Sequence, residues 1–477
     1  MPWPADVAAL AGALAAEATA APGAAWCWLD EWSGRSLLGI AAEVRVAERG
    51  REREFLEGLR DDAGDAAGDP ADDPAASSRG MQRWVVALGY EFGQALLGLD
   101  PAPDDAAPAV ALRLDAALVL DHARGVTELR APSEAEIDDW LAHYGAVLTP
   151  HASTLPGESA LPIDMSAEHL ERPERAAGAR RGDAETAAGW RKIPAEYQAE
   201  VEACRAAIRD GDAYVLCLTD TAETPAAGVD PLDLYLRLRR DRDPAVRGGV
   251  LVAGERALVS ASPERFLSVT GSRIATHPIK GTRPRGATPE EDARLAAELG
   301  ADPKERAENL MIVDLMRNDL SRVCEPGTVA TTGFLRVETH PYVHQLVSTV
   351  EGRLTPGLDA IDAIEACFPG GSMTGAPKRR AVEILRDLEG GSRGLYSGCF
   401  GWLGADGDGI SEAELAMTIR SVELRGLGTL TATARVGAGG GITIDSDPAR
   451  EEAERRLKAA PLLRALSAVA SSAVDPT

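Results

Sequence analysis

The run SPERF at residues 262–266, followed by HPIKGTR at 277–283, lies in the part of this chain that decides its fold. Residues 250–276 have the apolar and β-branched character of paired strands. Lys280 comes directly after these strands, between Ile279 and a glycine, where desolvation could lower the pKa of its amine and make it a nucleophile. Glu264, on the neighbouring strand, could be a general acid if its surroundings are apolar. A structural salt bridge between Lys280 and Glu264 explains the pattern equally well.

The composition excludes several classes of protein. The chain has 477 residues, with 50 Lys+Arg against 75 Asp+Glu, and its formal net charge of −25 argues against a general nucleic-acid binder. No stretch approaches the roughly 20 apolar residues of a membrane span, and the N-terminus lacks the pattern of a signal peptide. The six cysteines show neither metal-ligand spacing nor a disulfide framework. We therefore expect a cytoplasmic enzyme with no nucleic-acid or membrane partner.

Differences in composition and hydrophobic periodicity divide the chain into four parts. Residues 1–150 contain short strand-like segments and predict a β-rich region, and 151–192 mix proline, glycine and charges and predict a linker. We expect one continuous catalytic region over 193–464, with helices at 195–210 and 231–240, and a tail at 465–477.

Two pairs of glutamates lie at helical spacing. Glu305 and Glu308 are three residues apart at the start of an apolar helical run, so their carboxylates share one helix face. A second helix, predicted to start at 447–448, carries Glu451 and Glu454 at the same spacing. Such pairs could hold Mg²⁺ together with waters and an anionic substrate. Two solvated helix faces explain the spacing as well, and the spacing alone does not favour a metal.

Two glycine-rich runs could approach an anion. GAGGG at 437–441 lies between strand-like segments, where its backbone N–H groups could contact a ligand or simply form a tight hairpin. FPGGSMTGAPK at 368–378 leads into a helix whose N-terminus could receive a carboxylate.

The lysines as a group and two further polar positions have two interpretations each. Only five of the 50 basic residues are lysine, so a retained lysine is a candidate for chemistry that arginine cannot perform, although chance explains some of them. His344, on a predicted strand, could be catalytic or a hydrogen-bonded core residue. Arg420 ends an apolar strand and could be a surface charge or a fork for a carboxylate.

Together these segments resemble the chorismate-utilising enzymes, which include anthranilate, aminodeoxychorismate, isochorismate and salicylate synthases. The resemblance covers about 193–464 and consists of motifs in the family's order: SPERF, PIKGT at 278–282, ENLMIVDLMRNDL at 308–320, HQLVSTVEG at 344–352, the 368–378 loop, and 439–447 with its glutamate helix. It implies an α/β fold of the α+β type, with large, mostly antiparallel sheets in a two-layer core and helices outside. The N-terminal region would contribute to the same core.

The resemblance also implies roles for individual residues. The expected catalytic residues are Lys280, Glu264 and His344. The residues expected to contact chorismate are Thr282, Thr374, Tyr396, Arg420, Gly439, Gly441 and Lys458. Mg²⁺ would be held directly by Glu308 and Glu454, and through waters by Glu305 and Glu451. ELAM at 414–417 departs from the family's DLNI, and the sequence offers no chemical reason for that change.

Lys280 indicates one branch of the family. Other branches usually carry alanine here, whereas lysine is typical of aminodeoxychorismate synthases, in which it is thought to attack the ring covalently while the counterpart of Glu264 protonates the departing hydroxyl. The sequence shows no nucleophile loop of a glutamine amidotransferase, so ammonia would be free or come from a separate glutaminase subunit. An anthranilate synthase component I is the nearest alternative. An inactive chorismate-binding paralogue and an aminobenzoate supplier for a specialised metabolite are two others.

Overall fold

Antiparallel strands form most of the fold, which confirms the expected class. The computed structural model describes Pro4 and residues 6–19, 23–32, 34–64, 81–131, 133–148, 189–240, 247–340, 343–405 and 409–474. In these residues the strands are β1 (Ala25–Trp32), β2 (Arg35–Ile40), β3 (Glu43–Val46), β4 (Met81–Leu88), β5 (Ala109–Arg113), β6 (Ala117–Asp121), β7 (Val126–Arg130), β8 (Gly189–Trp190), β9 (Val215–Pro225), β10 (Arg247–Ala253), β11 (Arg256–Ser262), β12 (Arg265–Thr270), β13 (Arg273–His277), β14 (Ile279–Pro284), β15 (Ala330–Thr339), β16 (Val343–Arg353), β17 (Gly375–Ala376), β18 (Cys399–Ala405), β19 (Glu412–Met417), β20 (Ser421–Arg425) and β21 (Thr433–Ile442).

The strands assemble into two large sheets. The first has the order β17-β9-β21-β20-β11-β10-β1-β2-β6-β7, with β8 beside β9. The second has the order β14-β16-β13-β12-β19-β18-β4-β5-β3, with β15 beside β16. Strands from the N-terminal region therefore belong to both sheets, next to strands from the predicted catalytic region.

Helices cover the outer faces of the sheets. They are α1 (Val7–Thr19), α2 (Glu52–Gly64), α3 (Tyr90–Leu96), α4 (Glu134–Leu148), α5 (Pro194–Arg209), α6 (Pro231–Arg240), α7 (Pro289–Ala301), α8 (Pro303–Ser321), α9 (Ala360–Cys367), α10 (Lys378–Glu389) and α11 (Pro448–Val474). The helices predicted at 195–210 and 231–240 are α5 and α6. None of the helices in the described ranges is both long enough and apolar enough to span a bilayer.

Apolar side chains fill three layers of this stack. Between the sheets, Trp32 of the first sheet meets Phe400 of the second edge to face, with ring centroids 5.1 Å apart, in a cluster that also holds Leu29 and Val85. A second cluster joins the first sheet to α1, α4, α6 and α11, and a third joins the second sheet to α2, α3, α8 and α9. Burial of this apolar area on both sides of each sheet is the main force that holds the layers together.

Two predicted boundaries differ from the structure or lie beyond it. The predicted linker at 151–192 falls outside the described residues up to 188, and its last residues form β8 and a short connection to α5. The predicted tail at 465–477 is helical as far as Val474, and Leu466 and Val469 are buried in the core. The apolar face of α11 explains this continuation, because it packs on the first sheet.

Candidate active site

A cavity of about 710 Å³ collects almost all of the predicted site residues. Its walls come from β9, the loop before β12, β14, α8, the 3₁₀ turn Gly371–Met373, Tyr396, Arg420, β21 and α11. The predicted residues that line it are Glu264, Lys280, Thr282, Glu305, Glu308, Tyr396, Arg420, Gly439, Gly441, Glu451, Glu454 and Lys458.

Glu264 has the environment of a general acid. Its side chain is buried, and desolvation raises its pKa above the usual range, although a hydrogen bond from Ser372 and the charge of Lys280 act in the opposite direction. A carboxyl group that keeps its proton near neutral pH can give that proton to a leaving group.

Lys280 lies in a different environment from the one expected. Burial lowers its pKa, but the acidic groups of Cys217, Glu308, Glu264 and Glu454 together outweigh burial, so the net pKa is raised. The expectation that desolvation would lower the pKa of this amine is therefore wrong. The charges of Lys280 and Glu264 interact, but no direct ion pair joins the two side chains among the described residues, so the simple salt bridge is not formed.

A strand irregularity brings Lys280 into the cavity. The pairing of β14 with β16 shifts register between Ile279 and Thr282, and Gly281 between them has φ +83°, a left-handed conformation that favours glycine. A Cβ at this position would also lie 3.0 Å from the carboxyl carbon of Glu305. This irregularity lets consecutive residues of β14 face one cavity.

Four carboxylates from two helices face the cavity. Asp302 caps the start of α8. Asp447 accepts a hydrogen bond from the backbone N–H of Arg450 at the start of α11, where the sequence predicted a helix start. The pKa of Glu305 is raised by burial and by the charge of Glu308. Within this pair, the charge of one carboxylate therefore disfavours ionisation of the other. In the second pair, burial is outweighed by the charge and hydrogen bond of Lys458, and the pKa of Glu454 is lowered.

The same carboxylates fit a magnesium ion in donor type. Burial and the charge of Glu454 raise the pKa of Glu451, and Lys304 interacts electrostatically with the glutamates of both helices. Mg²⁺ prefers such oxygen donors. Glu454 pairs with Lys458 at 2.6 Å, and Glu451 accepts a hydrogen bond from Ser446. Within the described residues, no three acidic, histidine or cysteine side chains already converge closely enough to hold an ion.

Cationic groups and the glycine strand form the part of the wall beside the carboxylates of α11. Arg420 has φ +52° and donates from Nη1 to the carbonyl of Lys458 at 3.0 Å. Lys458 Nζ donates to the carbonyl of Gly439 at 2.8 Å. Arg420, Lys458 and the hydroxyl group of Tyr396 together offer donors that suit a carboxylate.

The glycine run 437–441 is a continuous strand, so the hairpin interpretation is wrong. It forms the end of β21 and pairs with β9 in regular antiparallel register, with Gly439 opposite Thr219. A Cβ at Gly437 would overlap the ring of Tyr396, and one at Gly439 would overlap the carbonyl of Leu218. Gly437 therefore lets the Tyr396 ring pack against β21, and Gly439 lets the backbone of β9 approach closely.

The family model for chorismate binding enzyme matches residues 24–464. The chain belongs to this family. It is 42% identical over 392 residues to an aminodeoxychorismate synthase of Streptomyces griseus, a match that covers 80% of this chain and 50% of the relative. It is 41% identical over 280 residues to anthranilate synthase component 1 of Streptomyces coelicolor, which covers 58% of this chain and 53% of the relative. The chain thus spans about half the length of these curated relatives.

A solved structure in the family has the same architecture. The crystal structure of anthranilate synthase component I from Streptococcus pneumoniae TIGR4 superimposes with a TM-score of 0.67 at 27% identity, over 92% of this chain and 90% of that one. The fold expected from the sequence motifs is therefore confirmed.

Two predicted site residues do not line the cavity of this family member. His344 is buried on β16, with Nε2 2.9 Å from Asp292 and Nδ1 2.9 Å from the hydroxyl of Thr339. Its neighbour Gln345 lines the cavity instead, because successive strand residues face opposite sides. The hydroxyl of Thr374 donates to the carbonyls at 370 and 371 within its own loop.

Several cavity residues were not predicted from the sequence. Ser372 lies in the predicted anion loop, and the scarcity of lysine already set Lys304 apart, so both had a signal. Gln345 belongs to the HQLVSTVEG motif, but neither Gln345 nor Cys217 could be assigned to the cavity, because an ordinary strand residue reveals its direction only once the pairing register is known.

Proposed function

We propose that this chain is the chorismate-converting subunit of an aminodeoxychorismate synthase. It would aminate chorismate at carbon 4 with ammonia to give 4-amino-4-deoxychorismate, toward 4-aminobenzoate and folate. The observation that carries this proposal is the lysine at 280, which shares the cavity with a protonation-prone Glu264. Relatives named aminodeoxychorismate synthase support the same branch.

The proposed chemistry uses the two residues in turn. The Lys280 amine forms a bond to ring carbon 2, the ring double bonds shift, and the carbon 4–oxygen bond breaks as Glu264 protonates the departing hydroxyl to give water. Ammonia then adds at carbon 4, the carbon 2–nitrogen bond breaks, and the Glu264 carboxylate takes up the surplus proton. Lys280 must first lose its own proton, and the acidic groups around it make this the demanding step.

The remaining walls would bind the charged parts of chorismate. Arg420, Tyr396 and Lys458, with the backbone of Gly439 and Gly441 and the hydroxyl of Thr282, offer donors to its two carboxylates. In a chain of net charge −25, such local cations are what makes a dianionic ligand acceptable.

Mg²⁺ would be held by Glu308 and Glu454 directly, and by Glu305 and Glu451 through waters. When bound, it would supply positive charge that neutralises these carboxylates and attracts a carboxylate of the substrate. Burial and the like charge of a neighbouring carboxylate raise the pKa of Glu305 and of Glu451, and a cation bound among these groups would relieve that repulsion.

Ammonia would reach the chain in free form or from a separate glutamine amidotransferase subunit. All six cysteines are unpaired and buried, and burial raises the thiol pKa of each, whereas a glutaminase needs a reactive thiolate. Unpaired cysteines also suit the reducing cytoplasm, where we propose that the protein acts.

The product of the reaction tests the proposal. The pure chain is incubated with chorismate, Mg²⁺ and an ammonium salt at mildly alkaline pH, and the product is identified by mass and by added aminodeoxychorismate lyase. Release of 4-aminobenzoate is the expected result.

Anthranilate synthase component I is the second candidate, and the similarity to that enzyme of Streptomyces coelicolor favours it. Formation of anthranilate and pyruvate in the same assay would overturn the aminodeoxychorismate proposal. It would also mean that a lysine at 280 does not determine the product.

A further inference from the structure

Arg393 is a buried arginine whose guanidinium is fully engaged by protein groups. Its side chain is only 1% exposed, and it lies over the ring of Tyr90 at 4.0 Å. Nε donates to Glu389 Oε2 at 2.8 Å and Nη2 to Glu389 Oε1 at 2.6 Å. The remaining N–H groups donate to the carbonyl of Met373, the hydroxyl of Ser397 and the carbonyl of Cys217, at 2.8, 3.1 and 2.9 Å.

These contacts use the whole donor capacity of the side chain. A guanidinium carries five N–H groups in a planar fork, and five acceptors surround this one. No donor is left for a ligand, so Arg393 can influence the cavity only through the groups that it holds.

The groups held by Arg393 belong to three different walls of the cavity. Cys217 lies on β9, Met373 ends the 3₁₀ turn, and Ser397 directly follows Tyr396. Cys217, Met373 and Tyr396 all line the cavity. Ser372, next to Met373, hydrogen-bonds to the proposed acid Glu264.

The anchor of Arg393 is itself fixed. Glu389 Oε1 also accepts hydrogen bonds from the backbone N–H and the hydroxyl of Thr219, at 2.9 and 3.0 Å. The backbone N–H of Arg393 donates to Glu91 at 2.8 Å. The guanidinium therefore joins three cavity walls to a rigid frame.

We propose that Arg393 is a positioning residue that sets the distance between the three walls and, through Met373 and Ser372, the placement of Glu264. The inference rests on the proposed function for the role of Glu264. Lysine cannot replace this arginine, because an ammonium group has three donors and no planar fork. Arg420 and Lys458, the expected carboxylate ligands, are outside its contacts.

Arg393→Lys should therefore affect the chemical step more than substrate binding. We expect kcat to fall about 100-fold, the cost of an ångström-scale misplacement, while KM for chorismate changes much less. Arg239→Lys is the matched control: Arg239 also donates to a buried carboxylate, Asp30, at 2.6 Å and lies over the Trp28 ring, but does not line the cavity. The control should keep the kcat of the parent chain. Equal losses in both variants, or an unchanged kcat in Arg393→Lys, would overturn the proposal.

A second measurement does not depend on which reaction the chain catalyses. Cys217 is 6% exposed and lines the cavity, so its alkylation by iodoacetamide, followed by mass spectrometry, reports how firmly the β9 wall is held. We expect faster alkylation of Cys217 in Arg393→Lys than in the parent chain or in Arg239→Lys. An unchanged alkylation rate would contradict the positioning role, whether or not the chain forms 4-amino-4-deoxychorismate.

Ser397→Ala is the alternative variant for the same test if Arg393→Lys does not fold. It removes one of the five contacts and leaves the guanidinium in place. A smaller fall in kcat with unchanged KM is the expected result, and full activity together with an unaltered Cys217 alkylation rate would count against the proposal.

Discussion

At the scale of single residues, the proposed function depends on the lysine at 280. Lys280→Ala removes the proposed nucleophile, so we expect product formation with ammonium to fall by at least about 100-fold. Lys280→Arg keeps the positive charge but not a nucleophilic amine, so its rate of product formation should fall equally far. Initial rates at saturating chorismate and Mg²⁺ measure both. Unimpaired turnover in either variant would remove Lys280 from the mechanism.

Glu454 makes a second residue-scale prediction, about the metal. Glu454→Gln should weaken Mg²⁺ binding at least about tenfold, because it removes a proposed direct ligand. Isothermal titration with Mg²⁺, without substrate, measures this independently of activity. Glu452→Gln is the control on the same helix, since Glu452 pairs with Arg455 and Arg456 and lies outside the cavity lining. Identical titrations for Glu454→Gln and the parent chain would refute the ligand role.

At the scale of elements, the glycine strand β21 sets how closely the cavity walls approach. In Gly437→Ala the new Cβ would overlap the Tyr396 ring, so the strand or the ring must move. We expect a loss of about 1–3 kcal/mol in the free energy of unfolding, as in overpacked cores, measured by urea denaturation. Gly441→Ala meets only a Val215 methyl at 3.6 Å and should unfold close to the parent chain. Equal stability of Gly437→Ala, Gly441→Ala and the parent chain would show that β21 and the Tyr396 ring can move apart without loss of stability.

The same strand shows how far elements could be predicted from sequence. The helix over 231–240 and the two glutamate helices follow from local signals, namely proline starts, aspartate caps and apolar spacing. The run at 437–441 was ambiguous, because nothing local indicates that β9 lies against it. The direction of His344 depends in the same way on the register of β16, and a one-residue shift would have exchanged it with Gln345.

At the scale of the whole molecule, a charged cluster ties the two sheets together. Arg247 of the first sheet donates to Glu414 of the second at 3.0 Å, and Arg265 donates to the same carboxylate at 2.7 Å. Arg265 also donates to His277 at 3.1 Å. Glu414 belongs to the segment that departs from the family's usual sequence, and here it gains a structural role: it pairs with arginines from both sheets.

This cluster makes the stability of the whole chain depend on pH. Burial and the charges of Arg265 and Arg247 lower the pKa of His277 to about 4, from 6.5 in an unfolded chain. Between pH 6.5 and 4 the unfolded state therefore binds a proton that the folded state does not. Stability falls as the pH falls through this window, by at most about 1.4 kcal/mol per pH unit from this group.

His277→Gln removes that proton uptake, so its stability should decline less than that of the parent chain between pH 7 and pH 5. Urea unfolding at both pH values measures the difference. His143→Gln, on the exposed surface of α4, is the control and should follow the parent chain. Because His277 touches an arginine that shares Glu414 with the opposite sheet, its charging would weaken the contact between the sheets rather than a local turn. If His277→Gln and the parent chain lose the same free energy of unfolding over this range, protonation of His277 does not cause the fall in stability at low pH.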